Sequence, residues 1–134
     1  DEEKHRKAIL ENNITGFVHL LAYQNNPFKY LGKAKFLVLS SKNEGFPNVI
    51  LEALACEIPV VSFDCDFGPR DMISSFKNGI LVENQNWEKL TEAINLFVSD
   101  SLLYQSCKEN TLRSIDPFLL EKIGKEWLYL LEAN

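Results

Sequence analysis

Two carboxylates, Glu44 and Glu52, stand in a stretch whose residue types and spacing can do chemistry: Ser40-Ser41-Lys42-Asn43-Glu44-Gly45-Phe46-Pro47-Asn48-Val49-Ile50-Leu51-Glu52-Ala53-Leu54-Ala55-Cys56. From Val49 to Cys56 every residue but Glu52 is apolar, which reads as a buried helix. A carboxylate there must be paired, hydrogen-bonded or protonated, because an unpaired buried charge is costly. Asn48 and Glu52 are four apart and share a helix face. The free N–H groups at a helix start, together with the helix dipole, favour an anion such as a phosphate. One place could thus offer a cradle for phosphate and, at Glu52, an acceptor for hydroxyls. On spacing alone the alternative is as good: Glu52 in a structural salt bridge and Glu44 a solvated loop residue.

The elements that must position this stretch are readable on either side. Phe36 to Leu39 reads as a buried strand within Lys35 to Leu39, and Pro47 as the first helical residue, where its missing N–H costs nothing. Further strands are expected at Phe17-Val18-His19-Leu20-Leu21, at Pro59-Val60-Val61-Ser62-Phe63 and at Ile80-Leu81-Val82. His19 is read as a satisfied strand histidine, since no Cys or Asp is spaced with it for a metal. Helices are expected over Glu2 to Asn13, Phe28 to Lys33, Trp87 to Ser99, Ser101 to Ser114 and Phe118 to Leu131, with a helix start at Gly68-Pro69. Within Trp87 to Ser99 the apolar residues Trp87, Leu90, Ala93, Ile94, Phe97 and Val98 keep a 3.6-residue period. Asp116-Pro117 breaks the last two helices apart. Short apolar strands alternating with helices imply a parallel sheet covered on both faces. Ligands of such sheets sit beyond the carboxyl ends of the strands, which places the loops at Glu44 and at Asp64 to Arg70 on the ligand edge.

The chain has 134 residues, 46% of them hydrophobic and 25% charged, which fits one ordinary globular domain. A formal net charge of −5 argues against general nucleic-acid binding. The apolar runs are too short to span a bilayer. Three cysteines, Cys56, Cys65 and Cys107, are an odd number in no metal-type spacing and fit a reducing compartment. Cys56 is expected to be a small core residue. No G-x-G-x-x-G follows any strand, which disfavours a dinucleotide-binding dehydrogenase.

Glu44-Gly45-Phe46-Pro47-Asn48-Val49-Ile50-Leu51-Glu52 resembles the E-(x)7-E signature of the family 4 retaining glycosyltransferases (glycosyl transferases group 1). Ser40-Ser41 before it, Ile58-Pro59-Val60-Val61-Ser62 after it, Phe67-Gly68-Pro69-Arg70-Asp71-Met72-Ile73 and Asn78-Gly79-Ile80-Leu81-Val82 resemble further segments of that family, in its order, over roughly residues 5–131. The resemblance implies an α/β fold, a Rossmann-like parallel sheet flanked by helices, forming the C-terminal, donor-binding half of the two-domain GT-B architecture. The family's first strand of this half, with its Gly-Arg and Lys diphosphate contacts, has no counterpart here. Residues 1–134 are therefore expected to be an N-terminally shortened donor domain, a fragment of a longer protein and inactive by itself.

The resemblance also implies roles. Glu52 would accept from the ribose hydroxyls of a nucleotide, and Glu44, the catalytic candidate, would meet the hydroxyls of the transferred sugar. Backbone groups of Gly45 and Phe46 would approach the sugar, with Pro47 beside them. Asn48 and Val49 N–H groups would meet the diphosphate, and Ser41 joins the donor-binding set. Tyr23, Arg70 and Asp71 are weaker candidates: Tyr23 as a surface for the base, Arg70 and Asp71 as either site residues or a helix-start acid beside a solvated arginine. The expected donor is a nucleotide-diphosphate sugar, UDP-linked, with no cofactor and no metal. The acceptor, a glycan or lipid-linked saccharide of surface polysaccharide or lipopolysaccharide biosynthesis, would come through the missing N-terminal domain. The expected location is cytoplasmic, with peripheral membrane association of the parent protein. Two rivals remain, a nucleotide-sugar epimerase of similar architecture and a non-catalytic binding module.

Overall fold

A computed structural model describes residues 2–132. Two helices come first, α1 (Glu2–Glu11) and α2 (Phe28–Leu31). Then strands and helices alternate: β1 (Leu37–Leu39), α3 (Asn48–Ala55), β2 (Val60–Asp64), α4 (Pro69–Met72) and β3 (Gly79–Glu83). The chain ends in α5 (Trp87–Ser99), α6 (Ser101–Ser114), a 3-10 turn at Asp116–Phe118 and α7 (Leu120–Glu132). The three strands are parallel, in the order β1-β2-β3, with Leu37 opposite Val60 and Val60 opposite Gly79.

Strand β2 is central and buried on both faces, as a near-continuous apolar run in a parallel sheet should be. Its alternation sorts the core into two layers. Val60 meets Ile50, Ala53 and Leu54 of α3, with Met72 and Ile73 beside them. Val61 and Phe63 point the other way, with Ile80 and Val82, onto Leu90, Ala93 and Phe97 of α5 and Cys107 of α6. The Rossmann-like α/β sheet with helices on both faces is therefore the observed class.

Local chemistry fixes the helix ends. Asn86 Oδ1 accepts from the Lys89 N–H at 3.0 Å and starts α5, while Asp100 Oδ1 accepts from the Leu103 N–H at 2.9 Å and starts α6. Both helices run over the residues expected for them, α5 with the 3.6-residue period read in Trp87 to Ser99. Pro69 opens α4 at its first turn, behind Gly68. Asn78 is buried and fully used: its Oδ1 accepts from the Ser74 N–H at 2.8 Å and its Nδ2 donates to the Met72 carbonyl at 2.9 Å. A Cβ on Gly79 would stand 2.3 Å from the Val60 carbonyl oxygen, so the Asn78-Gly79 pair lets β3 lie against β2.

Several expectations need correction. Residues 17–21 form no strand; Phe17 is 85% exposed and Leu21 57%. A strand requires a neighbour to take its backbone bonds, and none of β1 to β3 lies beside this segment among the described residues. His19 is accordingly an exposed residue of an irregular segment, not a strand histidine. Strand β1 is shorter than Lys35 to Leu39 and only half-buried, because it is an edge strand. Helix α3 begins at Asn48: Pro47, with ψ 87°, is the capping residue outside the helix. Helix α2 stops at Leu31 and α1 at Glu11. Cys56 caps the end of α3 and is half-buried, while Cys65 and Cys107 are buried. Helix α7 starts at Leu120 because Asp116–Phe118 winds as a 3-10 turn.

The layered core makes a direct prediction. Phe97 is fully buried and contacts Phe36 and Tyr104 edge-on. Phe97→Ala should lower the unfolding free energy by about 3–5 kcal/mol, read from urea denaturation. Val98→Ala on the exposed side of the same helix should change it by less than about 0.5 kcal/mol.

Candidate functional site

All three strands run the same way, so the loops after them open on one edge of the sheet. The loop after β1, residues 40–47, carries Ser41, Glu44, Gly45, Phe46 and Pro47. The loop after β2, residues 65–68, lies directly against it. Gly68 adopts φ +93°, and a Cβ there would stand 2.4 Å from Pro47 Cδ and 2.9 Å from the Gly45 carbonyl oxygen. Only glycine meets both conditions, a left-handed backbone and no room for a side chain. The loop after β3 makes a third tie: Asn84 Nδ2 donates to the Lys42 carbonyl at 3.1 Å. On the remaining side Phe46 contacts Phe118 of the 3-10 turn edge-on, with ring centroids 6.0 Å apart.

Within this frame Glu44 and Glu52 are half-buried, and neither forms an ion pair with any described residue. The structural salt bridge considered for Glu52 is thus not what the fold builds. Pro47 is buried, Ser41 and Val49 half-buried, and Gly45, Phe46 and Asn48 exposed. A Cβ at Gly45 would meet no atom, so the backbone there faces open space. No side chain caps α3, and among the described residues the N–H groups of Asn48 and Val49 find no acceptor. The structure therefore brings together two half-buried carboxylates, an open glycine backbone and two unpaired donors at the positive end of a helix.

The electrostatics reach the neighbouring thiol. Burial pushes the Cys65 thiol above its ordinary range, and the Glu44 and Asp64 carboxylates push it the same way, partly offset by backbone hydrogen bonds from Cys65 and Glu44. Cys65 is thus a neutral packing residue behind Glu44.

The weaker candidates fare unevenly. Arg70 is not a freely solvated arginine: its Nε donates to Asp64 Oδ1 at 2.9 Å, holding the start of α4 to the end of β2. Asp71 is exposed in the short helix α4. Tyr23 is 90% exposed, in the irregular segment before α2. Among the described residues no three His, Cys, Asp or Glu side chains form a metal-type group, and no helix is long and apolar enough to cross a membrane. Sequence reasoning missed three contributors. Gly68 was legible as a helix-start signal in a ligand-edge loop, but its contact with the Gly45-Pro47 turn depends on a loop brought up from elsewhere in the chain. Asn84 and Phe118 act through contacts for which the sequence carries no local signal.

In parallel α/β domains of this kind ligands sit beyond the carboxyl ends of the strands, and a helix start with free N–H groups favours an anion there. Comparison with known proteins makes the assignment specific: residues 1–114 match the family described as glycosyl transferases group 1, and the chain belongs to that family. It is 35% identical over 124 residues to a Campylobacter jejuni protein named N-acetylgalactosamine-N,N'-diacetylbacillosaminyl-diphospho-undecaprenol 4-alpha-N-acetylgalactosaminyltransferase, covering 92% of this chain and 34% of the relative. It superposes with a TM-score of 0.87 and 32% identity on a Staphylococcus aureus TarM variant solved with fondaparinux, alpha-GlcNAc-glycerol and UDP, over 96% of this chain and 26% of TarM. The C-terminal domain of the group 1 protein LpcC from Francisella tularensis shares the fold, with a TM-score of 0.72 at 21% identity, over 85% of this chain and 60% of that one. The chain spans 34%, 20% and 37% of the length of three curated relatives that it matches.

The contact between the two loops is testable. Gly68→Ala should destabilise the domain by more than about 1 kcal/mol, from the left-handed backbone alone. It should also shift the amide resonances of Gly45, Phe46 and Asn48 while leaving those of α5 and α6 in place.

Proposed function

We propose that this chain is the donor-binding domain of a retaining glycosyltransferase that uses a nucleotide-diphosphate sugar, UDP-linked. The parent enzyme transfers a hexose or N-acetylhexosamine to a glycan or lipid-linked acceptor in surface polysaccharide biosynthesis. The observation that carries this reading is the convergence at the start of α3: unpaired Asn48 and Val49 N–H groups with Glu44 on one side and Glu52 on the other.

In this reading the α3 start receives the diphosphate. The N–H groups and the helix dipole stabilise the negative charge that grows on the departing nucleoside diphosphate as the anomeric C–O bond breaks. Glu52, four residues further on the same face, accepts from the ribose hydroxyls, a role suited to an acceptor-only carboxylate. Glu44 accepts from hydroxyls of the transferred sugar and favours positive charge at the anomeric carbon. Gly45 and Phe46 bring their backbone to the sugar, and Ser41 adds a hydroxyl. Pro47 does not donate; it shapes the turn and rests on Gly68. The acceptor hydroxyl attacks from the side on which the donor departs and passes its proton to the departing phosphate oxygen, so the anomeric configuration is kept. Support for UDP comes from the TarM relative, solved with that nucleotide, and support for a lipid-linked acceptor from the name of the Campylobacter relative. The acceptor would be held by chain outside these residues, and the reading places the reaction on the cytoplasmic side of a membrane.

An NMR titration of the labelled chain with UDP tests the proposal. Saturable shifts should cluster at residues 44–52, and Glu52→Ala should weaken them by about tenfold, the loss of roughly one hydrogen-bonding carboxylate. Absence of shifts at these amides in the folded chain, with and without an added N-terminal strand, would sink the donor-domain reading.

A further inference from the structure

The loop after β3 and the first turn of α5 frame an open hollow of about 440 Å³ on the same sheet edge, lined by Glu83, Asn84, Gln85, Asn86, Trp87 and Glu88. The residues beside it are rigidly held. Gln85 sits at φ 62°, an uncommon backbone for a residue with a side chain. Glu83 Oε2 accepts from Asn86 Nδ2 at 3.0 Å and from Lys89 Nζ at 2.8 Å, and Asn86 caps the helix. The Trp87 indole stands edge-on against buried Phe63, centroids 5.0 Å apart at 85°, and is still 58% exposed. An aromatic ring fixed on one side and open on the other is a flat apolar platform.

What surrounds that platform decides its ligand. The Glu88 carboxylate, Glu83 Oε1, Gln85 Oε1 and the Trp87 indole N–H make no hydrogen bond within the described residues. They offer both acceptors and a donor around the exposed ring. The residues that line the hollow include no cation, and Lys89 beside them is held by Glu83. The rim is therefore polar but not basic, and its carboxylates disfavour a phosphorylated ligand. A neutral pyranose meets all these conditions. Its ring C–H faces are apolar and weakly positive, matching the negative face of an indole, and its hydroxyls both donate and accept.

We propose that Trp87, with Gln85 and Glu88, forms a glycan subsite that takes a neutral pyranose ring of an oligosaccharide. The inference deepens the proposed function and rests on it for the origin of the glycan. The two loops are joined through Asn84 and the Lys42 carbonyl, so a saccharide on Trp87 would lie along the same sheet edge as the Glu44 loop.

The test is an NMR titration of the labelled chain with methyl α-D-glucopyranoside, methyl α-D-galactopyranoside and methyl N-acetyl-α-D-glucosaminide, with glucose 1-phosphate as the charged control. At least one neutral glycoside should shift the amides of residues 83–88 saturably and more strongly than the phosphate does. Trp87→Leu should weaken that binding by at least about tenfold. Glu88→Ala, which leaves the Trp87–Phe63 contact intact, should also weaken it and decides the matter if Trp87→Leu does not fold. No neutral glycoside shifting these amides, or unchanged titration in Glu88→Ala, would overturn the subsite and leave Trp87 as a cover over Phe63. UDP, titrated separately, keeps the two proposals apart. UDP shifts at residues 44–52 without glycoside shifts leave the donor reading standing alone, and the reverse result leaves the subsite standing alone.

Discussion

The contact between Gly68 and the Gly45-Phe46-Pro47 turn is the constraint on which the candidate site depends. Two loops that leave neighbouring parallel strands must pass each other at the sheet edge, and here they do so with no space for a Cβ. The left-handed backbone at Gly68 turns the second loop away at once into Pro69 and α4, and Arg70 then pins that helix to Asp64. The first loop, pressed from that side, leaves the Gly45 backbone facing open space, with Glu44 half-buried beside it. A bulkier residue at position 68 would have to displace the same turn that leads into the unpaired donors of α3.

The rest of the molecule can be understood as support for that contact. Strand β2 is the axis: its two sets of side chains hold α3 on one face and α5 and α6 on the other. Packing of Ile50, Ala53 and Leu54 against Val60 fixes α3, and so fixes where its first N–H groups point. Those groups remain without partners among the described residues, at a cost that a bound anion would offset. Phe118, on the turn before α7, packs its ring against Phe46. The loop that carries the candidate site is thus held to the sheet's second loop at Gly68 and to Phe118, both distant in sequence.

Much of this was legible from the chain alone, and the reasons differ by element. The 3.6-residue period of Trp87 to Ser99 marks α5, and α6 also covers the residues expected for it; the structure adds the caps at Asn86 and Asp100 that start them. Strands β2 and β3 announce themselves as short β-branched runs between turn residues. The segment at residues 17–21 carries the same composition yet pairs with nothing described, because composition reports what a strand would bury and not whether a neighbour is present. At the site, Glu44, Glu52 and Pro47 stand out by residue type, but spacing alone leaves a structural reading as good, and their proposed roles come from the family resemblance. The half-burial of Glu52 was not visible, since an apolar helix reads as covered all round until its packing partners are known. Gly68, Asn84 and Phe118 were out of reach for a simpler reason. Each acts on a partner that only the fold brings near, and no periodicity encodes such a meeting.

In the proposed function the start of α3 is a diphosphate cradle, and the nucleotide is anchored there and at Glu52. Calorimetric titration of the chain with UDP and, in parallel, with uridine tests it most directly. The account predicts saturable UDP binding, at least about tenfold weaker binding of uridine, and a further loss for UDP in Glu52→Ala. Equal affinity for uridine and UDP would contradict it, because the helix start would then contribute nothing to holding the ligand.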